Sequence, residues 1–505
     1  MGGISDWPEF NARYAPASPA IVFGGRTETW AEFEHAVAHI AGGLRRNGVR
    51  HGDRVGILAQ NHPHYLHVVL GAARIGAVIV PLNIRLSVTE LRYQITHSGL
   101  VWLFRDASFA RTAAGFEDLI PAARSTEIDG PSMAELLGGD GVRAAADVTP
   151  DDPVAILYTS GTTGLPKAAV LTHRNVAAVA EASGRCDSVG SDDRVLIAVP
   201  LAFTGPLLPT AMPFVAAGAS ILLAKEAHID DIFDAIERQR VTVLSQVPLV
   251  YQKMEQHPRF RSAELSGLRS ARSGGSPIPE SLIARWQERG VALVGSYGLT
   301  EASGLALQLP AAEASRKIGS AGVPILHHQI RVLDADGREC APGRVGELQV
   351  RGPAVMSHYL NDEQATAAAF DGEWLRTGDL VELDDENFVK IVDRKKDMLI
   401  SGGLNVYPAE IERVLAGHPH VLEVAVVATR DEKFGERPVA VVVSDKPELT
   451  LSDLEPVLAE LADYKRPVRL EVVDELPRTM SGKVIRRALA ERYHEPAQRG
   501  SSQHA

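Results

Sequence analysis

The sequence predicts a mixed α/β protein. We expect a large N-terminal domain of parallel-rich sheets with crossover helices, a β-rich subdomain, and a small mobile α+β domain at the C-terminus. Three observations lead to this prediction. Apolar segments of strand length alternate with amphipathic segments of helix length across residues 54–298, as in parallel strands joined by crossover helices. From about residue 325, short strands separated by turn signals follow. Beyond residue 407 the order becomes helix, strand, strand, helix.

The alternation can be followed element by element. RVGILAQ (54–60) predicts a strand, YLHVVLGAARIG (65–76) a helix, and AVIVPLN (77–83) the next strand. Further strands, each separated by a segment of helical character, are RVLIAVP (194–200), ASILLA (219–224), VTVLSQVP (241–248), LRSARSGG (268–275) and VALVGSYG (291–298). The β-rich part is predicted from HQIRVLDADGREC (328–340) and GRVGELQVRG (343–352), and the C-terminal domain from PAEIERVLAGHP, VLEVAVVATRD, RPVAVVVS and LSDLEPVLAELADY.

These segments set the expected domain limits. We expect an N-terminal domain over residues 1–393, with its β-rich subdomain at about 325–393, a hinge at 394–396 and a C-terminal domain over 397–493. The polar residues 494–505 predict a disordered tail.

Composition excludes several classes of protein. A net charge of −12 over 505 residues argues against nucleic-acid binding, which needs a basic surface. Cys186 and Cys340 are far apart and belong to no CxxC motif, which argues against a disulfide framework and a structural zinc site. The sequence contains neither a secretory signal pattern nor a long uncharged apolar segment. We therefore expect a cytoplasmic protein with free thiols and no membrane span.

The segment YTSGTTGLPKAAVLTH (158–173) predicts a phosphate-binding loop. It differs from a Walker loop because Lys167 follows a proline and the next residues have strand character. Such a loop joins two strands and holds phosphate with backbone N–H groups, hydroxyls and a lysine. The residues expected to do so are Thr159, Ser160, Gly161, Thr162, Thr163, Gly164 and Lys167. A flexible Gly/Thr hairpin is the alternative interpretation.

With this loop the chain resembles the adenylate-forming superfamily, which comprises acyl-CoA synthetases, nonribosomal-peptide adenylation domains and firefly luciferase. Further motifs follow in the family's order over nearly the whole chain. They are TWAEF (29–33), GAARIGAVIVPLN (71–83), SYGLTEAS (296–303), WLRTGDL (374–380), DRKKDMLISGGLNVYPAEIE (393–412) and PRTMSGKVIRR (477–487). The chain is most similar to fatty-acid or aryl acid–CoA ligases.

The resemblance implies two half-reactions. A carboxylate attacks the α-phosphorus of ATP, and a thiol, expected to be that of CoA, then displaces AMP. Thr300 corresponds to the phosphate-contacting Thr and Glu301 to the acidic ligand of Mg²⁺. Lys483 corresponds to the Lys that bridges the carboxylate and the α-phosphate, and Arg394 to an Arg that contacts ribose and phosphate. On the residues alone, Glu301 is also compatible with a helix-capping acid and Arg394 with a solvated charge.

Other nucleotide-binding positions follow from the same resemblance. They are Gly274, Gly275, Ser276, Ser296, Tyr297, Gly298, Asp379 and Gly403. Asp379 would bind the ribose hydroxyls, although an Asp after Gly is commonly a turn residue. Lys396 falls at the family's hinge. Rotation of the C-terminal domain about it would withdraw Lys483 between half-reactions and present Gly403 beside the pantetheine arm of CoA.

The resemblance also implies the place of the acid pocket, because PLAFTGPL (200–207) corresponds to the motif that borders this pocket in related aryl and acyl ligases. Its predicted lining residues are Ala202, Phe203, Thr204, Gln246, Ser273 and Gly298. The amino-acid adenylation domains of this family usually have an Asp near this point to bind the α-ammonium group. No Asp occurs between residues 199 and 214, so the resemblance argues against an α-amino acid substrate. Ser296 stands where malonate-type ligases of the family have an Arg, and a second buried carboxylate without a partner is costly. A monocarboxylate remains, either aromatic or of medium chain length.

Two other functions stay open at this point. One is a stand-alone adenylating enzyme that passes its adenylate to a carrier protein, an amine or another nucleophile. The other is a catalytically idle nucleotide-binding regulator, although such a protein would be expected to have lost Lys483 or Glu301. For the ligase we expect small-molecule partners, a monomer or homodimer, and no nucleic acid.

Overall fold

The computed structural model describes residues 3–143, 147–159, 165–226, 228–431, 433–478 and 484–493. Numbered in chain order, the α-helices described there are Asp6–Tyr14, Trp30–Arg46, Pro63–Arg74, Val88–Ser98, Ala110–Ala114, Pro131–Leu137, His173–Cys186, Met212–Ala217, Ile229–Glu237, Pro248–Gln256, Glu280–Glu288, Glu363–Ala369, Pro408–Leu415, Leu451–Leu458 and Arg486–Tyr493 (α1 to α15).

The strands are numbered in the same way. They are Pro19–Phe23, Arg26–Thr29, Arg54–Leu58, Val78–Pro81, Leu100–Arg105, Ser125–Glu127, Pro153–Thr159, Lys167–Thr172, Arg194–Ile197, Ser220–Leu223, Val243–Gln246, Ser270–Gly274, Leu293–Tyr297, Leu307–Gln308, Val323–Pro324, Gln329–Leu333, Val345–Arg351, His358–Tyr359, Phe370–Asp371, Trp374–Leu383, Val389–Arg394, Leu399–Ser401, Leu404–Val406, Val421–Asp431, Gly435–Ser444 and Arg469–Val472 (β1 to β26).

A nine-stranded sheet carries the predicted acid-binding segments. Its order is β15-β14-β13-β12-β11-β9-β10-β1-β2, and the strands from β13 to β1 are all parallel to one another. The chain leaves β9 to one side for β10 and later returns to its other side as β11. Ligands of open α/β sheets bind outside the carboxyl ends of strands at such a reversal. The segments that follow β9 and β11 are therefore candidates to bind a substrate.

The predicted helix between β9 and β10 differs in part from the expectation. Pro206–Ala211 forms a π-helix, and only Met212–Ala217 continues as α8. Pro209 lies inside this segment, and proline has no N–H to give to a regular helical ladder. The widened turn keeps the backbone carbonyl of Pro209 available to side chains, and Ser183 donates a hydrogen bond to it at 2.6 Å.

A seven-stranded sheet carries the predicted phosphate loop. Its order is β18-β8-β7-β4-β3-β5-β6. Strands β7 and β8 pair antiparallel, with Thr159 opposite Lys167. The residues between them therefore connect two strands of one hairpin, as the sequence predicts. Residues 160–164, which include most of the predicted phosphate ligands, lie outside the described part of the chain.

Two five-stranded sheets follow. The first has the order β16-β17-β20-β19, with β21 paired to β20. The second has the order β23-β22-β25-β24, with β26 paired to β25. Apolar residues of α13 and α14, including Ile411, Leu415 and Leu454, form one buried cluster with strand residues of this sheet. A second cluster joins the sheet to α15 through Leu489 and Tyr493.

The chain divides into two compact units. The first comprises Met1–Ile330 and Val350–Arg376, and the second comprises Arg331–Gln349 and Thr377–Ala505. The fold is thus mixed α/β, with a large N-terminal part and a small C-terminal part. The boundary expected at residues 393–397 stays a prediction, and the expected disordered tail lies outside the described residues. Within the described helices, none combines the length and apolar composition needed to cross a membrane.

A histidine cluster at the start of α3 makes the stability of the fold depend on pH. Nδ1 of His64 lies 3.0 Å from Nδ1 of His67, and Nε2 of His62 lies 2.9 Å from Oδ1 of Asp129. Burial, the largest cause, and the nearby His67, His62 and Arg26 together lower the pKa of His64 to about 3. The folded protein therefore holds His64 neutral over the whole physiological range.

We expect acid to destabilise the protein through His64. An unfolded His has a pKa of about 6.5, so the stability that neutral His64 preserves above pH 6.5 is lost progressively as the pH falls toward 3. Between pH 7.5 and 5 the loss is about 2 kcal/mol of unfolding free energy. His64→Gln should flatten this pH dependence in urea titrations, whereas the exposed His228→Gln should leave it unchanged. Equal dependence of the unfolding free energy on pH in both variants would contradict the assignment to His64. A smaller pH dependence should persist in His64→Gln because burial also lowers the pKa of His62.

Candidate active site

Glu301 is the centre of a polar cluster in the N-terminal unit. It lies in a one-turn 3-10 helix, Thr300–Ala302, which follows β13. Its Oε1 accepts a 2.7 Å hydrogen bond from the Tyr359 hydroxyl and a 3.4 Å hydrogen bond from the Thr159 hydroxyl. Nζ of Lys167 lies 5.0 Å from the centre of the Tyr359 ring. The structure thus brings three predicted site residues together: Thr159, Lys167 and Glu301.

This carboxylate fits the needs of a magnesium ion. Its two protein hydrogen bonds, among the residues described, both go to Oε1, so Oε2 can face a cation. The described ranges contain no group of three His, Cys, Asp or Glu side chains arranged to hold a metal, so protein side chains alone would not complete a metal site here. Mg²⁺ commonly uses one or two carboxylates and completes its shell with water and substrate phosphates. Glu301 would therefore hold the ion together with the triphosphate.

Tyr359 is a site residue that the sequence did not reveal. Strand β18 pairs with β8 and sets Tyr359 opposite Ala169, which brings the phenol to Glu301 from a distant part of the chain. Burial, the first cause, and the nearby Glu301 raise its pKa, so the hydroxyl keeps its proton and donates. No local pattern in SHYLND indicates this role, because the contact depends on a long-range strand pairing.

The predicted glycines allow close backbone approach. A Cβ at Gly298 would lie 2.2 Å from the carbonyl oxygen of Gly304, and a Cβ at Gly274 would lie 2.7 Å from the Ser296 hydroxyl. That hydroxyl donates a 3.1 Å hydrogen bond to the carbonyl of Ser273. Gly275 has a φ of +86°, a conformation that favours glycine. The neighbouring predicted residues Ser276 and Tyr297 are exposed and half-buried, respectively.

The segment after β9 is held in place by Asn61. Its Nδ2 donates to the carbonyl of Val199 at 3.0 Å, and its Oδ1 accepts from the backbone N–H of Leu201 at 2.8 Å. Asn61 is 1% exposed and was not recognised from sequence, where it precedes a His-Pro pair without any periodic signal. It therefore holds the backbone directly before Ala202, the first of the residues predicted to line the acid pocket.

Those residues adjoin the Glu301 turn. Thr204 and Thr300 are 2.9 Å apart through their hydroxyl oxygens. Ala202 is buried, and Phe203 is half-buried. A Cβ at Gly304 would lie 3.1 Å from Cγ2 of Thr204. The predicted acid segment and the predicted phosphate-contacting turn therefore meet at the Thr204–Thr300 contact.

Arg272, on β12, has structural partners. It forms a 2.8 Å ion pair with Asp187, and it donates to the hydroxyls of Ser183 and Thr210 at 2.6 and 3.1 Å. Its side chain is 3% exposed and that of Asp187 is 1% exposed. A buried pair with this many hydrogen bonds is typical of a structural role.

Gln246 is the last residue of β11 and is the register partner of Ser273, the last but one residue of β12. They are 3% and 1% exposed. Both polar atoms of the Gln246 amide and the hydroxyl of Ser273 are buried without a hydrogen-bond partner in the part of the chain that the structure describes. Each such atom costs about 1–3 kcal/mol when it stays unpaired, so these groups require an explanation.

The C-terminal unit contains the remaining predicted residues. Asp379 and Arg394 are opposite each other on β20 and β21, and Nε of Arg394 lies 2.7 Å from Oδ1 of Asp379. Lys396 is exposed in the turn after β21. Gly403 has a φ of +81° in the turn between β22 and β23. Lys483 lies outside the described residues.

Comparison with known proteins agrees with these features. The family model "AMP-binding enzyme" matches residues 9–360, and "AMP-binding enzyme C-terminal domain" matches residues 410–483. A feruloyl-CoA synthase from Amycolatopsis sp is 39% identical, with 97% of this chain and 99% of the relative covered. An indoleacetate–CoA ligase from Aromatoleum aromaticum is 39% identical, with coverage of 95% and 96%.

Solved structures show the same likeness. The o-succinylbenzoate–CoA synthetase from Bacillus subtilis in complex with its acyl-adenylate has a TM-score of 0.87 at 33% identity, with 96% of this chain and 97% of that chain covered. An ATP-bound MatB from Rhodopseudomonas palustris has a TM-score of 0.90 at 30% identity, with coverage of 98% and 99%. The chain therefore belongs to the AMP-binding family of adenylate-forming enzymes and is an ATP-dependent, AMP-forming acid–CoA ligase.

Proposed function

We propose that this ligase activates an aromatic monocarboxylic acid and transfers its acyl group to CoA. In the first step a carboxylate oxygen bonds to the α-phosphorus of ATP, and the bond to pyrophosphate breaks. In the second step the CoA sulfur bonds to the acyl carbon, the thiol proton is released, and AMP departs with the oxygen that joined it to the acyl group. Catalysis consists mainly of positioning the reactants and neutralising their charge.

The polar cluster supports the proposed roles in the first step. We assign Lys167 and Thr159 to the phosphates, because they flank the predicted loop at the ends of β8 and β7. Thr300 would contact a phosphate oxygen while its hydroxyl stays beside Thr204. When bound, Mg²⁺ on Glu301 would neutralise the negative charge of the phosphates. Tyr359 positions the carboxylate through its 2.7 Å hydrogen bond.

In the C-terminal unit we assign Asp379 to the ribose hydroxyls, Arg394 to ribose and phosphate, and Lys483 to the reacting carboxylate. The Asp379–Arg394 ion pair supports the first two roles, because it orients both side chains. Rotation about Lys396 between half-reactions, with boundaries near residues 393–397, is part of the proposal. It implies that Lys483 and Gly403 serve different half-reactions.

One observation carries the choice of an aromatic acid. Three relatives at 39% identity over at least 95% of this chain are named for feruloyl or indoleacetate substrates, both aromatic. A long-chain-fatty-acid–CoA ligase from Mycobacterium tuberculosis is 34% identical. Phe203 beside the small Ala202 supports the same choice, since an aromatic wall pairs favourably with an aromatic ring.

Substitution of Phe203 tests this preference. Phe203→Ala should lower kcat/KM for aromatic acids about tenfold, because ring–ring contacts contribute about 0.5–1.5 kcal/mol beyond burial. The same change should alter kcat/KM for octanoate by less than about threefold. Steady-state rates with both acids provide the measurement. A uniform loss with all acids would indicate a general defect in the segment rather than recognition of the ring.

A two-stage assay tests the function as a whole. Pyrophosphate exchange is first measured with ferulate, indoleacetate and saturated straight-chain acids, and AMP release is then measured with and without CoA. We expect exchange to be fastest with an aromatic acid and AMP release to depend on CoA. Faster exchange with the straight-chain acids would overturn the aromatic assignment.

A second candidate acceptor has one supporting observation. A fatty acid–[acyl-carrier-protein] ligase from Streptomyces coeruleorubidus is 36% identical over 96% of this chain. Exchange without any CoA-dependent thioester, together with acyl transfer to a phosphopantetheinylated carrier protein, would favour that acceptor. We further propose a cytoplasmic monomer or homodimer. The free thiols of Cys186 and Cys340 are consistent with a reducing compartment.

A further inference from the structure

We infer that the Gln246 amide, together with the Ser273 hydroxyl, recognises the adenine base of ATP and does not contact the acid. The inference rests on the proposed function only in taking ATP as the nucleotide substrate. It replaces the sequence-based expectation that both residues line the acid pocket. The reason lies in the two faces of the nine-stranded sheet.

One face of β11, β12 and β13 packs into the hydrophobic core. Leu244, Ala271 and Leu293 belong to a single buried cluster on that face. Side chains alternate between the two faces along a strand. Gln246 is two residues after Leu244, and Ser273 is two residues after Ala271, so both extend from this same face near the carboxyl ends of their strands. The residue four positions after Leu293 is Tyr297, which also ends its strand on this face.

The acid segment contacts the other face. The hydroxyl of Thr210, in the π-helix that continues from Phe203 and Thr204, lies 3.5 Å from the hydroxyl of Ser245. Arg272 donates to the hydroxyl of Thr210 at 3.1 Å from the neighbouring strand. Ser245 and Arg272 are register partners and precede Gln246 and Ser273 by one residue. Gln246 and Ser273 therefore point away from the acid segment.

The chemistry of the buried groups matches a purine base. The amide of Gln246 offers one acceptor and two donor hydrogens, and its two polar atoms and the Ser273 hydroxyl lack partners within the described ranges. Adenine presents an amino group next to a ring nitrogen, and Gln or Asn amides bind this edge with two parallel hydrogen bonds in nucleic-acid recognition. Tyr297 at the adjacent strand end supplies an aromatic surface for the base. Gly275, with its φ of +86°, allows the chain to turn tightly directly after β12.

The test removes either the Gln246 amide or the 6-amino group of adenine and compares the effects on catalysis. We compare kcat/KM for ATP and for purine riboside triphosphate, which lacks the 6-amino group, in wild type and in Gln246→Leu. The wild type should prefer ATP at least tenfold, because a site built to hydrogen-bond a group rejects the analogue that lacks it. Gln246→Leu should reduce the preference to less than about threefold. Ser245→Ala, one residue earlier on the opposite face, should retain the wild-type preference.

Thermal unfolding separates this role from a structural one and requires no acid substrate. The midpoint of unliganded Gln246→Leu should equal or exceed that of the wild type, because the replaced amide has no partner among the described residues. The midpoint increase caused by ATP should shrink. Ser273→Ala should also reduce the midpoint increase caused by ATP, but by a smaller amount. An unchanged nucleotide preference combined with an altered KM for the acid would overturn the inference, as would a lowered midpoint with a full response to ATP. Failure of every acid to form a CoA thioester would affect the proposed function and leave the ATP-binding result intact.

Discussion

Glu301→Gln is expected to lower the rate of adenylation by about 10²–10³-fold. The substitution keeps the size of the side chain and an oxygen that can accept the hydrogen bond from Tyr359, which is 2.7 Å long in the native protein. It removes the negative charge that a hard divalent cation requires. The defect should therefore appear as a weaker response to Mg²⁺ in pyrophosphate exchange at saturating acid. Excess Mg²⁺ should recover part of the rate.

Two further variants separate loss of the Glu301 charge from other effects. Glu288→Gln removes an exposed carboxylate at the end of α11 and should leave the exchange rate unchanged. Tyr359→Phe removes the hydrogen bond but keeps the ring near Lys167, so it should raise the Mg²⁺ concentration needed for half-maximal rate a few-fold without a comparable loss of maximal rate. An intact Mg²⁺ response in Glu301→Gln would reduce Glu301 to the helix-capping role that the sequence also allows.

Local periodicity was sufficient to predict the parallel sheet. RVGILAQ, AVIVPLN and VTVLSQVP each contain a strand of the described structure, because buried parallel strands are nearly continuous apolar runs. The hairpin of β7 and β8 was also predicted, because the residues after Lys167 have strand character rather than helical periodicity. Both inferences use only neighbouring residues, and this is why they succeeded.

Contacts between segments that are distant in the sequence could not be predicted from local periodicity. Tyr359 reaches Glu301 through the pairing of β18 with β8, and Asn61 reaches the loop after β9 from another sheet. Neither residue belongs to a pattern that marks it. The face occupied by Gln246 depends on the register of β11 within the sheet, and a shift of one residue exchanges the two faces of a strand. A motif can therefore locate this segment in the chain without assigning each side chain to the acid or to the base.

Lys483→Ala is expected to lower the rate of adenylation by about 10³-fold while acyl transfer from a supplied acyl-adenylate stays within about threefold of wild type. The resemblance of PRTMSGKVIRR to the family's C-terminal motif carries this expectation. A lysine between the carboxylate and the α-phosphate stabilises charge that is present only in the first half-reaction. Pyrophosphate exchange measures the first step, and CoA-dependent release of AMP from purified acyl-adenylate measures the second. Lys433→Ala, which removes an exposed lysine of the same unit, is the control and should affect neither step.

Gly403→Ala provides the opposite case. Gly403 has a φ of +81°, and a Cβ there would meet no atom within 4 Å, so the change strains the turn without a steric clash in the described part of the unit. If this turn borders the path of the CoA thiol, acyl transfer should fall more than adenylation, whereas Lys483→Ala should show the reverse. Thermal midpoints would show whether turn strain alone explains the loss. Equal losses in both steps for either variant would exclude a division of labour between the two residues, and rotation of the C-terminal domain would then have no kinetic support.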